Sequence, residues 1–194
     1  MEILLLDNYD SFTYNLVHYF EGFDCKVTVA FNDQLDLSEV HRYDKIVLSP
    51  GPRLPKDAGV MMELIEKYHT SKPILGVCLG FQGLVEFFGG SLYNQESVKH
   101  GVKTCLKANT ESKLFQNTAD QFQVGLYHSW AATKSDFPKL LEITALNDED
   151  VIMAFEHKTL PIAGVQFHPE SILSEFGKKL VENFIFNFHY LVVT

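Results

Sequence analysis

Short apolar runs alternate with segments of helical periodicity through the first half of the chain. Ile3 to Leu6 is continuously apolar, the pattern of a strand buried on both faces of a parallel sheet. A helix follows, capped by Asp10 or Ser11 and running to about Glu21. It places Phe12, Leu16, Tyr19 and Phe20 at helical spacing and stops at Gly22. Lys26 to Phe31 and Lys45 to Leu48 read as the next strands. Ala58 to His69 predicts a helix with Met61, Leu64, Ile65 and Tyr68 inward. Ile74 to Val77 is a fourth strand, and Leu79 to Phe88 a helix closed by Gly89-Gly90. Strands joined by helices imply a parallel sheet with right-handed crossovers.

The second half changes character. Val102 to Leu106, Phe122 to His128, Leu141 to Leu146, Val151 to Glu156 and Ile162 to Phe167 are strand-like and closely spaced. Turn signals such as Asn147-Asp148-Glu149-Asp150 separate them. The last element, Glu175 to about Tyr190, is an amphipathic helix with Leu180, Phe184 and Phe188 on one face. The expected fold class is α/β: an open, mostly parallel central sheet flanked by helices, with an antiparallel or mixed extension in the second half. With 194 residues and no Pro/Gly/Ser-rich linker, residues 1–194 read as one domain.

Composition narrows the partners. A net charge of −9 disfavours nucleic acid and anionic membrane surfaces. No apolar run approaches the length of a membrane span. The start Met1-Glu2-Ile3 lacks a basic segment and a cleavage site, so it reads as a first strand and not a signal peptide. The cysteines, Cys25, Cys78 and Cys105, form neither a disulfide framework nor a metal knuckle, which fits a reducing cytoplasm. Cys25 and Cys105 fall in strand-like segments and are expected to be inert core. Phe87, Phe88, Phe184, Phe186 and Phe188 are expected to be core as well.

Cys78 differs from the other two. Gly76-Val77-Cys78-Leu79-Gly80 directly follows a buried strand and opens a helix, so the thiol sits at the apex of a strand-turn-helix elbow. Small neighbours let backbone and substrate approach it. The free N–H groups and positive dipole end of the following helix favour developing negative charge. A lone cysteine is more often a buried structural residue, and the pentapeptide alone barely outweighs that reading. A second segment adds weight. Gly164-Val165-Gln166-Phe167-His168-Pro169-Glu170 is strand-like, and its His168 and Glu170 share one face at spacing i, i+2. Glu170 can orient the imidazole of His168 if the chain bends at Pro169. A thiol, a base and a carboxylate behind the base are the parts of nucleophilic acyl transfer.

Three other segments carry two readings each. Ser49-Pro50-Gly51-Pro52 is a tight turn that can also aim the Gly51 N–H at an oxyanion beside the Leu79 N–H. Tyr127-His128-Ser129 either binds substrate or is a polar strand exit. Asp7-Asn8-Tyr9-Asp10-Ser11-Phe12 is a polar loop, accounted for by helix capping whatever else it does.

Taken in chain order, the Cys78 elbow with Gln82, the Ser49–Pro52 turn and the Gly164–Ser171 segment resemble the class I (triad) glutamine amidotransferases. The resemblance spans almost the whole chain and implies a flavodoxin-like architecture. Asp7 to Asn15, Tyr127-His128-Ser129 and Ser171-Ile172-Leu173 are similar to the small subunits of anthranilate synthase and aminodeoxychorismate synthase. The resemblance implies glutamine as substrate and Cys78, His168 and Glu170 as the catalytic triad. It implies Gly51 and Leu79 as oxyanion donors, and Gln82, Tyr127, His128 and Ser129 as the glutamine site. It further implies no metal or other cofactor in this chain, and a heteromeric partner subunit that binds chorismate and Mg²⁺ and receives the ammonia. An amidotransferase of another synthetase, making guanylate or carbamoyl phosphate, is an alternative that the Asp7–Asn15 run argues against. A non-catalytic regulatory homologue is another. Two positions depart from the subfamily: Phe81 stands where His is usual, and Arg53 where Gly is usual.

Overall fold

A computed structural model describes residues 1–190. A nine-stranded sheet forms the centre, in the order β2-β1-β3-β4-β11-β10-β9-β6-β7. β1 (Glu2–Asp7), β2 (Lys26–Phe31), β3 (Lys45–Leu48), β4 (Ile74–Val77) and β11 (Ile162–Val165) pair in parallel. β10 (Ile152–His157), β9 (Leu141–Asn147), β6 (Val102–Ala108) and β7 (Gln121–Leu126) continue the sheet antiparallel. β5 (Leu92–Asn94) and β8 (Trp130–Ala132) form a separate two-stranded ribbon.

The apolar run of β1 explains the layering. Ile3 and Leu5 join one core cluster with Leu16 and Phe20 of helix α1 (Thr13–Glu21) and Leu180 and Phe184 of helix α4 (Gly177–Asn187). Leu4 and Leu6 point the other way, toward Met61, Leu64 and Ile65 of α2 (Met61–Tyr68) and Leu84 of α3 (Leu79–Phe87). A strand covered on both faces has no solvent side to mark with polar residues, and each such buried aliphatic side chain contributes about 1.5–3 kcal/mol. Lys45, the one cation of β3, is buried and donates to the carbonyls of Phe184 and Phe188 at the end of α4. Burial pulls its ammonium down to about 8.

Several expected boundaries shift for local reasons. Ser11 does not cap α1: the helix starts at Thr13 with no side-chain cap, and Asp10 accepts the Phe12 N–H at 2.6 Å instead. Phe12 therefore lies outside the helix and is 38% exposed. The helix expected from Ala58 begins at Met61, because Gly59 has φ +52 and Pro55–Asp57 form a short 3-10 turn. The helix expected from Glu175 begins at Gly177, because Phe176 is left-handed and Glu175 pairs with Gln123 of β7. Phe186 is 58% exposed rather than core, and Cys105 is half-buried. β5 and β8 were not expected from the sequence pattern.

The parallel register fixes what meets at one edge. Gly76 pairs with Gly164 and Val77 with Val165, so the residues after β4 and after β11 emerge side by side. Leu6 pairs with Leu48, which brings out the loops after β1 and β3 at the same edge. β7 lies four strands away from β11 in sheet order. Yet the His168 N–H donates to Gly125 O at 3.2 Å, so the antiparallel half curls back over the end of β11. No helix among the described residues is long and apolar enough to cross a membrane.

Candidate active site

Cys78 sits at the turn between β4 and α3 with φ 50° and ψ −99°. A non-glycine residue in that region stores about 1–3 kcal/mol of strain, which the surroundings must hold. The Cys78 N–H donates to Val165 O at 2.8 Å, and its carbonyl accepts the Gln82 N–H at 3.0 Å. The flanking glycines are a packing requirement. A Cβ on Gly76 would lie 2.5 Å from the Gly80 carbonyl, and one on Gly80 would lie 2.5 Å from Leu48. The N–H of Leu79, first residue of α3, has no intrahelical acceptor by position and faces the same turn.

His168 and Glu170 follow β11. The chain bends at Pro169, and His168 Nδ1 meets Glu170 Oε1 at 2.6 Å, with both side chains buried. His168 Nε2 is buried and makes no hydrogen bond, as is common in an unliganded site. Burial pulls the imidazole's pKa down. The neighbouring Cys78 and the Glu170 carboxylate outweigh it and hold it well above the ordinary value of 6.5. The charged form of the ring is therefore favoured beside the sulfur. The ring also packs at a tilt of 60° against Tyr127, with centroids 4.8 Å apart.

A cavity of about 240 Å³ opens onto Cys78. Gly51, Arg53, Gln82, Tyr127, His128 and Ser129 stand on its wall. His168 is not on this wall but lines a second cavity that Cys78, Gly51 and Tyr127 also line, and Glu170 lies behind it, hydrogen-bonded to its ring. His128 Nδ1 lies 2.9 Å from Trp130 O, which makes that nitrogen the donor and leaves the buried Nε2 as a bare acceptor. Burial keeps this ring neutral, with its pKa lowered to about 4. Gln82 Nε2 donates to Trp130 O at 2.9 Å and to Gln166 Oε1 at 3.2 Å, so its carbonyl oxygen is the group left for a ligand. Gln166 Nε2 in turn reaches Cys78 Sγ at 3.7 Å.

Two participants had no assigned role in the sequence reading. Gln166 could have been found, because it is a polar residue in a buried strand on the same face as His168. The Trp130 carbonyl carries no residue-type signal. Asp10, His168 and Glu170 offer ligand-type atoms within 4.8 Å of one another. Of their atoms, His168 Nδ1 and Glu170 Oε1 are engaged with each other, while His168 Nε2 and Glu170 Oε2 are buried without a partner. Arg53 adopts φ +69°, a conformation in which glycine is at ease and arginine is not.

Fold and constellation describe an α/β protein whose strand-turn-helix elbow carries a thiol on the same cavity as an imidazole that is paired with a carboxylate. Comparison with known proteins gives that class a family. The profile of the class-I glutamine amidotransferases matches residues 4–188. The chain is 43% identical over 190 residues to the anthranilate synthase component 2 of Pseudomonas aeruginosa, covering 94% of each chain. It is 42% identical over 185 residues to the aminodeoxychorismate synthase component 2 of Escherichia coli K12, covering 94% of this chain and 98% of that one. Among solved structures, a glutamine amidotransferase from Thermotoga maritima superposes with a TM-score of 0.76 over 97% of both chains at 17% identity, a likeness of fold. The chain belongs to the class I glutamine amidotransferase family.

Proposed function

We propose that this chain, as one amidotransferase domain over residues 1–194, is the glutaminase subunit of a chorismate-using synthase. The observation that carries the reading is the place of Cys78, which lines both the cavity walled by Gln82, His128 and Ser129 and a second cavity lined by His168, with Glu170 hydrogen-bonded to His168 at 2.6 Å. Glutamine enters with its carboxamide carbon over Cys78 Sγ. The sulfur attacks, the Gly51 and Leu79 N–H groups receive the oxyanion, and His168 gives its proton to the departing ammonia. A glutamyl thioester remains. His168, now neutral, takes a proton from water, the hydroxide attacks the thioester, and glutamate leaves with the thiolate restored. Glu170 keeps Nδ1 protonated, so that Nε2 is the nitrogen that works on substrate. The bare Nε2 of His128 and the free oxygen of Gln82 are acceptors suited to the amino and amide hydrogens of glutamine, with Tyr127 and Ser129 completing the head-group site.

Ammonia is of use only where a second reaction consumes it. The relatives' names as component 2 of anthranilate synthase and of aminodeoxychorismate synthase support a heteromeric partner that binds chorismate and forms anthranilate or 4-amino-4-deoxychorismate. A net charge of −9 fits a protein partner and disfavours nucleic acid. Free cysteines fit a cytoplasmic location. The test is glutamine hydrolysis by the purified chain, alone and with the synthase subunit recovered from the native cell, together with identification of the aminated product. Glutamine hydrolysis that rises on adding the partner supports the reading. Absence of hydrolysis in both samples overturns it and favours a non-catalytic homologue.

A further inference from the structure

The loop from Asn8 to Phe12 is not explained by the glutamine pocket, yet it reaches the triad. Asp10 lines a second cavity that opens onto Cys78 and His168 from the side of Phe12 and His100. One carboxylate oxygen of Asp10 lies within 4.8 Å of both a ring nitrogen of His168 and a carboxylate oxygen of Glu170. The Asp10 carboxylate is held by the Phe12 N–H at 2.6 Å. Glu170 brings its own unpartnered oxygen, buried at this spot. The His168 ring is therefore faced by carboxylates from two separate elements. We propose that Asp10 is a positioning residue of the triad, holding the charged form of His168 from the β1 loop. The inference rests on His168 acting as the base.

Charge and geometry agree. Burial pushes the Asp10 carboxyl up, against the pull of the Phe12 N–H and of His168. The upward shift comes chiefly from burial; the pull of His168 acts the other way and favours the carboxylate. The other ionisable groups around His168 are Glu170 on its own segment, Cys78 at the start of α3, Tyr127 and His128 after β7, and Tyr9 and His100 on the wall of the shared cavity. Tyr19 of α1 faces Glu170, and Asp7 faces Asp10. Asp10 is carried by a loop with exposed flanks, since Tyr9 is 53% exposed and Phe12 lies at the surface. Whatever moves this loop changes the field at the base.

Asp10→Asn separates this role from mere turn formation, because an asparagine oxygen still accepts the Phe12 N–H. Asp10→Ser does the same with a hydroxyl and serves if the first variant folds poorly. The His168 imidazole is titrated by nitrogen NMR in the full chain. Removing the carboxylate is expected to lower its titration midpoint by about one pH unit, and Asp10→Glu to restore most of it. The basic limb of kcat/KM for glutamine moves down with it when the synthase partner is present. An unchanged His168 midpoint in both Asp10→Asn and Asp10→Ser overturns the proposal. The titration needs no turnover, so it decides on Asp10 even if glutamine proves not to be the substrate.

Discussion

Replacing Glu170 by glutamine tests the link between geometry and rate most finely, because shape is retained and charge is removed. Glu170 Oε1 lies 2.6 Å from His168 Nδ1, with side-chain exposures of 0% and 3%. At a charge separation of about 4 Å and an effective dielectric near 20, the pair is worth at most about 4 kcal/mol. A hydrogen bond to a charged group contributes about 1.5–3 kcal/mol and a neutral one about 1. Glutamine retains the neutral bond, so the imidazolium loses about 0.5–2 kcal/mol, or about half a pH unit to one and a half at His168. The expected result in Glu170→Gln is a drop of about two- to thirtyfold in kcat/KM for glutamine near neutrality. The basic limb of the pH profile moves to lower pH by the same half to one and a half units. Stability follows the same sign. The folded pKa of His168 is raised, so the pair's contribution is complete below about 6.5 and fades as pH rises through the raised value. The denaturation difference between wild type and variant is then largest in mild acid and shrinks toward alkaline pH. A variant with wild-type kcat/KM and an unmoved basic limb would refute the assignment of Glu170.

Two further expectations concern the departures at positions 53 and 81. Arg53→Gly removes a left-handed arginine, which costs about 1–2 kcal/mol, at the expense of added freedom in the unfolded chain. The net gain is up to about 1 kcal/mol, read as an unchanged or raised melting temperature. Arg53 lines the cavity proposed to hold glutamine, so the same variant is expected to lower the glutamine KM of the free chain. Unchanged free-chain kinetics assign Arg53 to the surface or the partner interface. Phe81 is fully buried and packs on Phe155 with centroids 5.2 Å apart. Phe81→His buries ring nitrogens there and is expected to cost about 2 kcal/mol in chemical denaturation, with kcat/KM retained in the folded enzyme. Loss of activity without loss of stability contradicts the placement of Phe81 in the core.

The inner strands of the parallel half are legible because they are buried on both faces, and Lys45–Leu48 and Ile74–Val77 occur with the expected boundaries. Lys26–Phe31 also occurs as expected, although this edge strand is only half-buried. Helix starts were less legible, since a left-handed Phe176 and a positive φ at Gly59 are set by tertiary contacts that propensity does not encode. Phe186 was misplaced although spacing could have corrected it: it lies two residues from both Phe184 and Phe188 and so faces away from them on a helix. β5 and β8 are three residues each, too short for a period to be seen. The placement of Cys78 after β4 and of His168 and Glu170 after β11 is legible because each is a distinctive residue type at the end of an apolar run. The curl that returns β7 over β11 rests on a backbone bond from His168 to Gly125, for which no side chain is a marker. The family expectation rested on several motifs in order, and the match over residues 4–188 agrees with it.

The account stands or falls on Cys78 as the group that releases ammonia. The direct measurement compares glutamine-dependent and ammonia-dependent synthesis by the complex of this chain with its synthase partner, using wild type and Cys78→Ala. The predicted result is loss of essentially all synthesis from glutamine, with synthesis from added ammonium salt at the wild-type rate. A glutamine-mimicking electrophile should label Cys78 in the wild-type complex and spare buried Cys25 and half-buried Cys105. Glutamine-dependent synthesis that survives in Cys78→Ala would contradict the central claim.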